Sequence, residues 1–215
     1  MTRRKVTNPL ALAVLACLAE RPMHPYEMAS TMRERHQDES IKLNYGSLYT
    51  VVEQLQRHQL IAKEATAREG NRPERTVYCL TDAGRLELID WLSELLCSPV
   101  REFTQFEAGL CLLPVLPPKD AVTLLEERCH RLELSLAEAG AAREVASRRN
   151  LPRLFLIEAE YRWRLREAEL DWVRQLIADI NSGQLDGIAE WQAFHGEGGL
   201  RVVSDNVSPR SKVKP

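Results

Sequence analysis

The hydrophobic period of this chain changes once in its front third, and that change limits the possible folds more than any other feature. Within "NYGSLYTVVEQLQRHQLI", residues 44–61, Leu48, Val51, Val52 and Leu55 recur at helical spacing, after Asn44, a good N-cap. Beyond it the period shortens: "LIAKEATARE" and "RTVYCLT" read as two short strands about "GNRPE", a turn-forming cluster. Two helices precede this segment. Leu10 to Glu20 is apolar and ends at "RPMHP", and Tyr26 to Arg35 carries Met28 and Met32 four residues apart.

Three helices followed by a hairpin is the element order of a winged helix-turn-helix, in which the third helix enters the major groove and the hairpin, the wing, lies along the backbone or minor groove. The polar side of the third helix carries Ser47, Thr50, Gln54 and Arg57 in one row, suited to base edges and phosphates and equally to water. The wing tip decides in favour of DNA. Arg68, Asn71, Arg72 and Arg75 surround it, where a turn holds cationic side chains near phosphates, and a merely solvated helix face does not require a basic hairpin beside it. Base reading is expected of Ser47, Thr50 and Gln54, and phosphate binding of the wing arginines, with Tyr45 at the end of the helix facing DNA. Tyr49 has two readings, a phosphate contact and a partly buried packing residue. His24 and Glu27 fix the start of the second helix, and Tyr78 and Leu80 pin the wing to the core.

These residues also carry a family resemblance. "LAVLACLAERPMHPYEM", "GSLYTVVEQLQRHQLI" and "RTVYCLTDAGR" resemble, in order and spacing, the signatures of the PadR-like transcriptional regulators, over about residues 8–87. Pro25 stands where those proteins usually have glycine, and Tyr45 where they usually have proline. The first departure stiffens the start of the second helix. The second puts a bulky phenol at the DNA-facing end, with consequences for sequence preference. The resemblance implies a repressor with a helical C-terminal dimerisation domain.

Behind the hairpin, "LTDAGRLELIDWLSELL" starts at Thr81 or Asp82 and forms an amphipathic helix, and two long helices follow. In the first, Val122, Leu125, Cys129, Leu132 and Leu136 make a coiled-coil seam; after the break at Asn150 to Pro152, Leu154, Ile157, Tyr161, Leu165, Ala168, Trp172 and Leu176 continue the pattern. Such a hairpin cannot bury both stripes within itself, and a second copy is the simplest partner. The expected fold class is mainly α: a winged domain at 1–87, a helical dimerisation domain at 88–195 through which Leu125, Leu132, Leu154, Tyr161, Leu165, Trp172 and Leu176 pair two copies, and a disordered tail at 196–215. The fold would be a homodimer on a palindromic site.

Charge and composition exclude several functions. The 215 residues are 44% apolar, enough for real cores. The formal charge of −2 hides a front, residues 1–81, at +3 and a middle, 82–195, at −7, which allows polyanion binding by the front without establishing it. "TRRK" before "LALAVLACLA" mimics a secretion signal, but Asn8 and Pro9 interrupt it as a cap and first-turn proline would, and the apolar run is too short to span a membrane; the chain reads as cytoplasmic. Cys17, Cys79, Cys97, Cys111 and Cys129 show no metal-ligand spacing and read as buried thiols, so neither metal nor cofactor is expected. No Gly-rich phosphate loop, HExxH or nucleophile elbow occurs, and the carboxylates fall on solvated helix faces, so the chain is not expected to be an enzyme. Its expected partners are double-stranded DNA and itself. A rival is a helical protein-interaction adaptor using the winged module as a scaffold. Trp91, Phe103 and Phe106 fall within sixteen residues of a chain only 6% aromatic, and have two readings: walls of a site for a small aromatic effector, since some PadR-like proteins bind planar or phenolic compounds near their dimer interface, or plain packing.

Overall fold

The computed structural model of the chain describes residues 6–67 and 75–196, which divide between two compact units, Met1–Arg101 and Glu102–Pro215. The first begins with α1 (Pro9–Glu20), capped by the Asn8 side chain, which accepts from Leu10 N at 3.0 Å. Pro9 at the first helical position loses no hydrogen bond there. The α2 helix (Pro25–Glu34) starts on a reciprocal cap. His24 N donates to Glu27 Oε2 at 2.8 Å, while Tyr26 N donates to His24 Nδ1 at 3.1 Å, and Pro25 supplies a pre-set φ. Both were legible as local signals.

Helix α3 (Tyr45–Arg57) buries Leu48, Val51, Val52 and Leu55 to 3% exposure or less against α1, α2 and the hairpin. The hairpin pairs β1 (Ile61–Ala67) antiparallel with β2 (Arg75–Leu80), Ile61 opposite Leu80 and Lys63 opposite Tyr78, with a register shift between Glu64 and Ala67. Tyr78 also bridges to Met23 through two backbone hydrogen bonds of 3.0 Å, which ties β2 to the turn before α2. Helix α4 (Asp82–Cys97) packs on α1 and sends Trp91, 5% exposed, into the same core. The first unit therefore ends at Arg101 rather than at the expected residue 87, because α4 completes the core of the winged module.

One ion pair joins α1 to α2: Arg35 donates to Glu20 through Nη1 at 2.5 Å and Nη2 at 2.8 Å, which holds the Glu20 carboxyl below its ordinary value. A depressed carboxylate stabilises the fold above its unfolded pKa of about 4.3 and loses that contribution as pH falls through its folded value. Both side chains are about half exposed, 46% and 48%, so the pair contributes about 0.5 kcal/mol or less. Glu20→Gln should lower stability by that amount at neutral pH and leave it unchanged near pH 3, as read by urea unfolding.

The second unit consists of α5 (Gln105–Cys111), α6 (Pro118–Arg148), α7 (Ile157–Ser182) and α8 (Ile188–Gly196). The long antiparallel pair α6 and α7 buries Val122, Leu125 and Cys129 against Leu170, Val173 and Ile180, with Leu132, Leu136, Leu176 and Ile177 packed beside them. Arg128 with Glu169, and Arg174 with Glu133 at 2.6 Å, tie the two helices across the seam. Helix α8 closes one end: Trp191 Nε1 donates to Leu116 O at 2.8 Å.

The residues expected at a dimer seam separate here into two groups. Leu125, Leu132 and Leu176 are used inside the hairpin, whereas Tyr161, Leu165 and Trp172 stand on a second stripe of α7 that is 64%, 52% and 51% exposed, and Leu154 is exposed ahead of it. The expectation that all five cysteines are buried is also corrected. Cys17 and Cys129 are, Cys79 is half-buried, and Cys97 and Cys111 lie exposed near the ends of α4 and α5, where the outer faces of those helices meet solvent in this chain. No helix among the described residues is long and apolar enough to cross a membrane.

Candidate nucleic-acid interface

Helix α3 presents one face to the core and the opposite one outward, and its cap organises the outward end. Asn44 Oδ1 accepts from Ser47 N at 2.7 Å, satisfying one of the orphan amides of the first turn. Thr50 and Arg57 are exposed and Ser47 and Gln54 half-buried, so the row seen in the sequence lies along the accessible side of the helix. Thr50 Oγ1 donates to Gly46 O at 3.0 Å, which leaves its methyl group and a free oxygen lone pair facing out. A thymine methyl and a base amino group are the partners such a surface fits.

Gly46 sits in this first turn with no crowding to explain it: a Cβ there would meet only Asn44 Oδ1, at 3.8 Å. Packing within the chain does not require glycine at this position. Tyr49, one of the two-way readings, is 46% exposed and lies near enough to Tyr78 to affect it electrostatically; burial, with Glu53 and Tyr49 adding to it, pushes the Tyr78 phenol up.

Beside the N-terminus of α3, Tyr45 is 41% exposed and is held from α2. Its ring stacks on that of Tyr26 with centroids 6.2 Å apart and planes 10° from parallel, and Arg33 lies over it with Cζ 4.7 Å from the centroid. Arg33 Nη1 donates to the Tyr45 hydroxyl at 2.8 Å. Sequence reading singled out Tyr45 alone. The signal for the other two was their spacing of seven, which puts Tyr26 and Arg33 on one face of α2.

Of the wing residues, Arg68, Asn71 and Arg72 lie outside the described residues, and Arg75 opens β2 opposite Ala67. Of the three aromatics considered for an effector, Trp91 lies in the core of the first unit, Phe103 is 80% exposed, and Phe106 packs against the core of the second unit. There Phe106 is covered by the Arg128 guanidinium, 3.5 Å from its centroid, and meets Trp172 edge to face. No group of acidic, histidine or cysteine side chains that could hold a metal ion occurs among the described residues.

Comparison with solved structures gives the same architecture. Bacillus subtilis PadR in complex with operator DNA is 20% identical, with 80% of this chain and 98% of that chain covered at a TM-score of 0.62. PadR of the same organism in complex with p-coumaric acid is 18% identical over 80% and 98%, at 0.63. The smu.1604c protein of Streptococcus mutans UA159 is 19% identical over 80% and 99%, at 0.53. At these identities the likeness establishes the fold. No curated protein matches the chain in sequence. Residues 14–90, about a third of the chain and the span from α1 into α4, match the description "Transcriptional regulator PadR-like family". Residues 14–90 are thus similar to the Transcriptional regulator PadR-like family, within a fold shared with the solved PadR structures.

Proposed function

We propose that this chain is a sequence-specific regulator of transcription that binds a palindromic operator as a homodimer and represses from it. The observation that carries the reading is α3 itself, a helix whose apolar face is fully buried while a capped first turn and the row Ser47, Thr50, Gln54 and Arg57 stay accessible. The solved Bacillus subtilis PadR complex with operator DNA supports it, because the same fold is used there on DNA. In the proposal Ser47, Thr50 and Gln54 read bases, Tyr49 and Arg75 contact the backbone, and Arg68, Asn71 and Arg72 do so from the wing tip. Two copies pair through the exposed stripe of α7, Tyr161, Leu165 and Trp172, with Leu154 before it.

Recovery of bound genomic fragments followed by sequencing would give the operator, and titration of that duplex over a salt series tests the reading. Gln54→Ala is expected to weaken the operator by about 1–3 kcal/mol at particular base pairs while leaving random DNA alone. An unaltered protein that shows no salt-dependent duplex binding would leave the adaptor reading, for which the exposed apolar residues of α4 and α7 are the supporting observation.

Gly46 provides a sharper test of where the backbone goes. Alanine there fits the chain and improves helix propensity, so Gly46→Ala should stabilise the protein by about 0.5–1 kcal/mol. In the proposal the same methyl group meets the DNA, so operator affinity should fall about tenfold or more. A variant both more stable and equally tight on DNA would place the first turn of α3 away from the duplex.

A small aromatic effector belongs to the proposal as well, supported by the solved PadR complex with p-coumaric acid. A ligand of this kind acts only if it favours one arrangement of the two winged modules over another. Phenolic acids that neither bind the protein calorimetrically nor alter operator affinity would leave Trp91, Phe103 and Phe106 as packing residues alone.

A further inference from the structure

The contact between α2 and α3 at Tyr45 is built unlike those that Arg35 and Arg21 make. Arg35 and Arg21 each end on a carboxylate, of Glu20 and Glu27, so their charges are neutralised within the chain. Arg33 ends on a phenol. Its guanidinium lies over the Tyr45 ring and donates one hydrogen bond to the hydroxyl, and among the described residues no carboxylate pairs with it. The adjacent Glu34 is engaged by the Ser30 hydroxyl at 3.0 Å. The geometry thus fixes a cation in place without cancelling its charge.

Both partners keep unused capacity. A guanidinium has five N–H donors, of which the phenol takes one, and the Tyr45 hydroxyl, having accepted from Arg33, still has its own proton to donate. Tyr26, 57% exposed, stacks behind Tyr45 and holds the ring in plane. The donors stand where α2 meets the first turn of α3, and by helical spacing Tyr45 does not share the face that carries Ser47, Thr50 and Gln54. That places them for the sugar-phosphate strand flanking a groove rather than for base edges. Rigid cation and hydroxyl donors at a fixed separation suit the two non-bridging oxygens of one phosphodiester, and little conformational freedom remains to be lost on binding.

We propose that Arg33 and Tyr45, braced by Tyr26, form a phosphate clamp that seats α3 on the duplex. This rests on the reading of α3 as the DNA-facing helix, and it adds a positioning element on α2 that carries no sequence information of its own. The clamp acts on every duplex alike, so its test needs no knowledge of the operator.

The experiment is fluorescence anisotropy with random-sequence duplex DNA over a salt series, on the full-length protein and its Arg33→Gln and Tyr45→Phe variants, with thermal melting of each. Arg33→Gln is expected to weaken binding roughly tenfold at low salt and to lower the slope of log affinity against log salt by about one, with the melting midpoint unchanged. Tyr45→Phe keeps the ring and removes the hydroxyl, so a smaller loss at the same slope is expected. An Arg33→Gln protein with unaltered salt slope overturns the clamp, whether its affinity is unchanged or falls together with its melting midpoint, since the latter outcome marks a tie between helices and nothing more. If the unaltered protein does not bind duplex DNA, the proposed function fails first and the clamp with it; a failure confined to the variants leaves that function standing.

Discussion

Gly84→Ala is expected to unfold the first unit or to reduce its stability by about 4 kcal/mol or more, the largest effect of alanine at any of the described glycines. A Cβ at Gly84 would overlap the Leu60 carbonyl oxygen and stand 2.8 Å from Leu80 Cδ1 and 2.9 Å from Leu60 C. Backbone on one side and a packed strand residue on the other leave no flexible side chain to move aside. The joint is tight because Thr81 works in both directions. Its Oγ1 accepts from Gly84 N at 3.0 Å, capping α4, and donates into the carbonyls of Gln59 and Leu60 at 2.8 and 2.9 Å. Pushing α4 outward by one methyl would break that cap and withdraw Trp91 from the core. Urea unfolding of Gly84→Ala beside Thr81→Val, expected to lose about 1–2 kcal/mol as a cap, measures this. A Gly84→Ala protein with an unchanged midpoint would show the joint between α4 and the Gln59–Leu60 backbone to be looser than described.

Leu165→Glu should leave the chain folded and make it monomeric, with duplex affinity reduced by about a hundredfold or more. Leu165 is 52% exposed on the second stripe of α7, so in the single chain a carboxylate there meets water and costs under about 0.5 kcal/mol. At a seam between two copies the same charge would be buried without a partner, at several kcal/mol. In the proposed dimer, loss of the pairing would remove the effective concentration by which two weakly basic modules bind together, the source of the expected drop. Val173→Asp serves as the contrast, because Val173 is fully buried between α6 and α7 and that change should melt the second unit itself. Light scattering at micromolar concentration decides: an unaltered protein that is already monomeric, or a Leu165→Glu protein still dimeric on a folded hairpin, would contradict pairing through this stripe.

Where structure follows from a few neighbouring residues, the chain states it openly. Asn8 before Pro9, His24 with Pro25 and Glu27, Asn44 before the polar first turn, and Thr81 before α4 each set a helix start through hydrogen bonds spanning two or three residues. The buried face of α3 was equally legible, since four apolar residues at helical spacing define only one face. The short helix α8 was not read at all, although Ile188 and Trp191 stand three apart; nine residues leave too little periodicity to separate a helix from a loop.

The sequence by itself thus determined the element order of the first unit, its caps, and which side of α3 turns outward, because these depend on contacts within one or two turns of chain. Tertiary structure alone decided which stripe of α7 meets α6. Leu154, Tyr161, Leu165 and Trp172 make as regular an apolar series as Leu170, Val173, Ile177 and Ile180, and only the antiparallel register of the two helices selects the second series for the hairpin and leaves the first exposed. It likewise decided that Arg33 ends on Tyr45, twelve residues away on another helix, a pairing fixed by how α2 crosses α3 and by nothing in the local sequence of either.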